Sequence, residues 1–167
     1  ANTGNSNNTF IGKDAGGSNT AADNTFIGAN AGLVNVSGTA NTFIGKDAGN
    51  ANTASDNTFI GYNAGILNSS GTGNTFIGRA AGDVNTTSSN NTFIGKDAGA
   101  ANIAADNTFI GASAGLINAS GTANTFVGFG AGDANISSNN NTFIGRDAGG
   151  AYTAADNTFI GANAGLL

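Results

Sequence analysis

Aspartate supplies every side-chain carboxylate in this chain: ten Asp and no Glu stand against five Lys plus Arg, with no His and no Cys, for a formal net charge of −5. Recurring carboxylates could act as paired acid–base groups or as oxygen ligands for a hard cation. One set, Asp14, Asp47, Asp97 and Asp147, follows a Lys or Arg, while the neighbouring repeats carry Asn30, Asn63, Ala80 or Ser113 at that place. Like charges are thereby held two or three repeats apart, about 10–14 Å at strand spacing. That is the pattern of a solvated surface avoiding self-repulsion, not of a carboxylate pair. Asp23, Asp56, Asp106 and Asp156 offer isolated oxygens for calcium, but the Gly-Gly-x-Gly-x-Asp array of calcium-binding repeats is absent. Without His, Cys or Glu most catalytic apparatus is missing. The expectation is no enzyme, no catalytic residue, no metal site and no cofactor. The acidic balance argues against a nucleic-acid surface, and no apolar run reaches membrane-spanning length. Sequons such as Asn7-Asn8-Thr9, Asn35-Val36-Ser37 and Asn85-Thr86-Thr87 follow from a composition rich in Asn and Thr.

These residues hang on a five-residue motif, Asn-Thr-Phe-Ile-Gly, which occurs ten times in 167 residues. Only the eighth copy varies, with Val127 for Ile. The motif phenylalanines are Phe10, Phe26, Phe43, Phe59, Phe76, Phe93, Phe109, Phe126, Phe143 and Phe159, 16 or 17 positions apart. After Phe43 the steps repeat with a 50-residue superperiod built from three coil types. One type carries Lys/Arg-Asp-Ala-Gly; the next an apolar pair and Ser-Gly-Thr (Leu33 and Val34, Ile66 and Leu67, Leu116 and Ile117); the third Ala-Gly-Asp and a Ser/Asn-rich stretch. Five residues after each Phe comes Ala-Gly, and nine after it comes Asn, at 19, 35, 52, 68, 85, 102, 118 and 135, with Tyr152 the exception. A fixed short period means a solenoid rather than a compact fold. Glycine at two fixed places per coil disfavours helix, and the absence of Asn-Gly and Asp-Gly turns disfavours hairpins. The reading is an all-β, parallel β-solenoid (a β-roll) of about ten coils, one repetitive domain over 1–167, each coil with a first strand at the motif, a turn at Gly-x-x-Ala-Gly and a second strand around the later Asn.

Side chains alternate along a strand. With Phe inward to form the coil core, the motif Asn and Gly also point inward. The Asn can then stack into an amide ladder. Outward stand a threonine column (Thr9, Thr25, Thr42, Thr58, Thr75, Thr92, Thr108, Thr125, Thr142 and Thr158) and an apolar column (Ile11, Ile27, Ile44, Ile60, Ile77, Ile94, Ile110, Val127, Ile144 and Ile160). A long apolar stripe is an interaction site by default. Three readings compete: an interface within a homo-oligomer, an ice-binding face in which Thr and methyl groups order water, or simply an exposed strand face or lateral fibril contact. Tyr62, Phe129 and Tyr152 depart from the repeat and read either as receptor or glycan contacts or as packing against a neighbouring chain.

Asn-Thr-Phe-Ile-Gly-x-x-Ala-Gly resembles the Asn-Ser-Val-Ala-Ile-Gly repeat of trimeric autotransporter adhesin heads, and more closely the Asn-Thr-Phe-Ile-Gly repeats of tail-fibre-like bacterial and phage proteins. The resemblance covers essentially every coil. It implies a left-handed roll, three chains side by side, Ile11, Ile27, Ile44 and their equivalents as trimer contacts, and Phe10, Phe26 and Phe43 as core. The same Asn/apolar/Gly inward pattern is similar to the Asn-Asn-Thr-Val-x-Gly repeats of grass ice-binding β-rolls, which would make the threonine column with its Ile partners an ice-binding face. The expectation is a segment of a longer extracellular fibre (cell-surface adhesin or virion tail fibre), trimeric or stacked end to end as Leu166-Leu167 suggests. It would serve as rigid shaft or display head, with Lys13, Tyr62, Arg79 and Phe129 facing a receptor or glycan. The alternative is a monomeric ice-binding protein.

Overall fold

The computed structural model describes residues 7–166. Each motif forms one three-residue strand: β1 (Thr9–Ile11), β2 (Thr25–Ile27), β3 (Thr42–Ile44), β4 (Thr58–Ile60), β5 (Thr75–Ile77), β6 (Thr92–Ile94), β7 (Thr108–Ile110), β8 (Thr125–Val127), β9 (Thr142–Ile144) and β10 (Thr158–Ile160). The ten strands make one parallel sheet in sequence order. Pairing is in register throughout, with Thr on Thr, Phe on Phe and Ile on its equivalent. The protein is a parallel β-solenoid with no helix among the described residues.

Alternation within the strand decides which side chain builds the core. Phe26 to Phe143 are fully buried, each stacked on the next at 4.8–4.9 Å between ring centroids and 5–8° between ring planes. Phe10 and Phe159 extend the stack at 5.1 Å at its two ends. Nine such steps carry it about 44 Å. Ala31, Ala48, Ala64, Ala81 and their equivalents are fully buried beside the rings. The small angle between successive rings means that they lie face to face along the whole stack.

Two glycines per coil have spatial reasons. A Cβ on Gly82 would lie 2.6 Å from the Phe76 ring, and its φ is +58°. A Cβ on Gly61 would lie 2.4 Å from the carbonyl oxygen of Gly78 in the next coil. The first glycine lets the ring lie flat on the backbone; the second lets coils close to strand spacing.

The expected second strand does not form. From Gly61 the chain instead runs through three overlapping turns, closed by Ala64 N–H to the Gly61 carbonyl (3.3 Å), Ile66 N–H to Asn63 (3.3 Å) and Asn68 N–H to Gly65 (3.1 Å). A residue in the left-handed region stands in the first two of these turns, Asn63 at φ 57° and Gly65 at φ 56°, which a β-strand cannot contain. The back of the coil is held by backbone bonds between coils, such as Gly65 N–H to the Ala81 carbonyl (3.0 Å) and Ser69 N–H to the Thr86 carbonyl (2.8 Å), and by side-chain amides. The Asn68 amide donates to the Gly71 carbonyl (2.9 Å) and to the Asn52 side chain of the coil before (2.6 Å). At the motif Asn the ladder is regular: the backbone N–H of Asn74 donates to the Asn57 side-chain oxygen, Asn91 to Asn74 and Asn107 to Asn91, each at 2.9 Å. Burying an amide is costly unless it is bonded, and here the amide bonds add to the backbone bonds between coils on the turn side.

Candidate functional surface

The outward face of the sheet is the surface feature that recurs in every coil. Its Thr and Ile side chains are half-buried in the middle coils, because in-register neighbours above and below cover each other's flanks. Ile11 and Ile160 in the outermost coils are 58% and 70% exposed. The threonine hydroxyls that bond within the protein are those of Thr20, Thr39, Thr53, Thr72 and Thr122, all outside the strands. Among the described residues, none of the ten strand threonines uses its hydroxyl in a protein hydrogen bond. The face therefore offers a regular array of unbonded hydroxyls beside branched apolar groups.

Each long edge of this face carries its own chemistry. Two residues beyond the Ile column, on one line, stand Lys13, Lys46, Arg79, Lys96 and Arg146, which are all the cations of the chain, together with Tyr62 and Phe129. Four of the cations pair with the Asp that follows: Lys13 with Asp14 (3.5 Å), Lys46 with Asp47 (2.5 Å), Lys96 with Asp97, and Arg146 with Asp147 (3.0 Å). The Lys46 ammonium also lies 5.2 Å from the centre of the Tyr62 ring. Its hydrogen bond and ion pair with Asp47 raise the Lys46 pKa, while Lys46 and the Asn30 amide hold the Asp47 carboxyl below its usual value. Sequence reading groups Tyr62 and Phe129 with Lys13 and Arg79 but does not extend the line to Lys46, Lys96 and Arg146. The signal was available as a fixed offset of three from Phe.

Tyr152 belongs elsewhere. It occupies the place of the second Asn, and its ring packs edge-on against Phe143 and Phe159 at 6.5 and 4.8 Å. It is a core substitution and does not share the surface of Tyr62 (46% exposed) and Phe129 (57% exposed).

The opposite edge, two residues before the Thr column, carries Asp23, Asp56, Asp106 and Asp156. None has a basic partner among the described residues. Asp23, Asp106 and Asp156 accept amide hydrogens from Asn7, Asn90 and Asn140 one coil below (2.8–3.1 Å).

The structure gives the aspartates a role other than charge spacing. Asp14, Asp47, Asp97 and Asp147, and likewise Asp23, Asp56, Asp106 and Asp156, all have φ between 54° and 63°. Asp and Asn tolerate the left-handed region better than other non-glycine residues, so these are turn formers. Their alternation with Asn still serves electrostatics, since Asn30 donates to Asp47 at 2.8 Å where a second Asp would repel it. Asp83 and Asp133 differ: partial burial, then the nearby Asp97 or Asp147 charge, raises their carboxyl pKa. No group of three or more metal-binding side chains and no pocket occurs among the described residues. No described helix is long and apolar enough to span a membrane.

No protein-family model, curated protein or solved structure matches the chain, so its chemistry is read from this surface alone.

Proposed function

We propose that this chain is a rigid structural segment of an extracellular fibre or surface adhesin, in which further copies of the chain cover the Thr/Ile face. The observation that supports this reading is the unbroken in-register stack: ten coils, about 44 Å, with an apolar column along one face. Stacked aromatic rings and a buried amide ladder resist bending and shear along a rod, and the outward Ile column, half-buried in the middle coils and exposed at its ends, favours lateral burial. Tyr62 and Phe129, on the cationic edge, are the side chains that would meet a glycan or receptor. A trimer is the assembly the repeat family implies. Light scattering after size exclusion tests it: three times the 16.1 kDa chain mass is expected, and Ile60→Asp with Ile77→Asp should return it to one chain mass. Wild-type protein that stays monomeric at high concentration removes this reading.

A second reading is favoured by a specific observation, the ten unbonded threonine hydroxyls in one in-register column. Such an array can order water against a crystal surface. Thermal hysteresis in wild type, reduced by Thr75→Tyr, is the expected result; absence of hysteresis eliminates it.

A further inference from the structure

Of the five cations on the line beyond the Ile column, Arg79 stands apart. Lys13, Lys46, Lys96 and Arg146 are each followed by an Asp and each pairs with it. Arg79 is followed by Ala80, and its exposed guanidinium makes no ion pair among the described residues. The carboxylate of this coil stands three residues further on, at Asp83, partly buried and near Asp97, and it does not bridge back to Arg79. The paired cations on either side cancel against their own aspartates. One positive charge is therefore left uncompensated on this edge.

Coil register decides what surrounds that charge. The carbonyls of Lys46, Tyr62 and Arg79 accept the N–H of Asn63, Ala80 and Asp97 in turn (3.1, 2.9 and 2.9 Å). Lys46, Tyr62, Arg79 and Lys96 thus stand in one file, at the 4.8–4.9 Å step of the Phe stack. The Lys46 ammonium, from the coil before, lies over the Tyr62 ring, and no second cation does so among the described residues. Read upward, the file offers an exposed aromatic ring, a free guanidinium one step above it, and the Lys96 ammonium one step further. Lys96 spends one of its three donors on Asp97.

Each part selects for a chemistry. A guanidinium grips an oxyanion through two parallel hydrogen bonds. A tyrosine ring presents a flat apolar body with a polar tip, which suits the C–H face of a sugar ring. A bare anion would use the guanidinium alone, and a neutral sugar the ring alone. A single sugar ring that carries its own acidic group spans the step between them. We infer that Tyr62, Arg79 and Lys96 form a binding site for an acidic sugar, its ring on Tyr62 and its carboxylate or sulfate on Arg79, with Lys96 as flanking donor. This rests on the glycan contact proposed for the cationic edge and adds the ligand class and the residue that recognises its charge. It also separates the two surface aromatics. One coil above Phe129 stands Arg146, already held by Asp147 at 3.0 Å, so that ring has no free cation beside it.

The probes are methyl glucuronide and glucose 6-sulfate, with methyl glucoside, inorganic sulfate and the tripeptide Gly-Asp-Gly as comparisons. Nuclear magnetic resonance of the Arg79 Nε–H and the Tyr62 ring follows each titration. At least one acidic sugar should bind, and which of the two binds tighter names the source of the charge. The three comparisons should bind about tenfold more weakly or worse. Arg79→Gln should weaken sugar binding about tenfold or more, and Tyr62→Ala about threefold to tenfold. Ala80→Asp keeps Arg79 but gives it the partner that the other four cations have, at a φ of 54° that Asp tolerates. It should weaken binding as much as Arg79→Gln, whereas Ala80→Asn should not. Arg146→Gln should leave binding unchanged, and circular dichroism checks that every variant keeps its coil. No binding of either acidic sugar, or an equal loss in Arg146→Gln, overturns the inference. Methyl glucoside, sulfate or the tripeptide binding as tightly as the acidic sugars overturns it too. Three chain masses in the same sample would then leave the fibre reading standing.

Discussion

The two sides of each coil solve the same problem by different means. On the sheet side the backbone bonds to the backbone of the next coil, and the outward side chains are left without structural duties. On the turn side the main chain runs through residues of positive φ; backbone bonds between coils continue, as from Gly82 N–H to the Ala98 carbonyl (3.0 Å), and side chains add bonds of their own. Thr20 donates its hydroxyl to the Val36 carbonyl (2.6 Å), Thr53 to that of Ser69 (2.8 Å), and the Thr72 N–H donates to Ser89 Oγ (3.0 Å). The consequence runs opposite to intuition. The side with regular secondary structure is free to present a uniform surface for a partner, whereas the irregular side is chemically committed. Variation among the three coil types is confined to the turn side because a change there alters one local bond, whereas a change in Thr-Phe-Ile would break a column ten coils long.

Substitutions on either side of a single strand should break this contrast most visibly. Phe76→Ala removes a fully buried ring from mid-stack and is expected to cost about 3–5 kcal/mol. Ile77→Ala, next in sequence but outward, should cost the monomer about 1 kcal/mol or less. Chemical denaturation of both variants checks the difference, and equal losses would mean that the outward face is part of the core. The amide ladder comes next. Asn74→Ala orphans the Asn91 N–H and the Ser88 carbonyl, an expected loss of about 2–3 kcal/mol. Ser89→Ala, whose exposed bond to Thr72 water can replace, should lose about 0.5–1 kcal/mol. Similar midpoints for the two would deny that buried side-chain bonds hold the turn side.

A gain is expected where the turn chemistry is imperfect. Ala40, Ala80 and Ala123 adopt φ of 54–56° with no side-chain compensation, a conformation costing L-residues roughly 1–2 kcal/mol. Ala80→Gly should therefore raise stability by a net of about 0.5–1 kcal/mol, since glycine's added freedom in the unfolded chain offsets part of the relief. A lower melting temperature would count against the argument.

The smallest effect is one of pH. Asp83 and Asp133 have folded-state pKa values raised above the unfolded value by partial burial. Between those two values the native state holds more protons, so these groups reduce stability as pH rises and return it on acidification. Asp47 acts oppositely: its lowered pKa gives stability present at neutral pH and lost as pH falls through the folded value. Asp83→Asn with Asp133→Asn should raise the melting temperature at pH 7 and leave it nearly unchanged near pH 3. An equal shift at both pH values would assign the effect to packing.

How far the sequence could be read depended on which residues have one physical reason and which have two. Phe, the Ala beside it and the motif Asn were legible because burial is their single explanation and ten copies repeat it. Gly82 and its equivalents were legible as turn glycines, though their contact with the ring was not. The aspartates were misleading: Asp14 or Asp56 looks like surface charge, and nothing in composition separates that from tolerance of positive φ. The second strand was overread from the span around Asn68, since a fixed column of residues repeats equally well in stacked turns and in stacked strands, and Ser and Thr there suit either. Tyr152 looked like a surface aromatic because it breaks a polar column, but the column it breaks is an interior one.

In-register pairing of identical strands has a consequence for how such a rod can change over time. Every coil presents to its upper neighbour the surface it receives from its lower one, so no coil is tied to an ordinal position. Removing or duplicating one 50-residue superperiod leaves each Phe, Asn and Gly facing its own kind and each cation in step with its aspartate. Length is then an inherited dial, set by copy number through recombination between near-identical segments, and reach can shift in steps of three coils without a new sequence having to be invented.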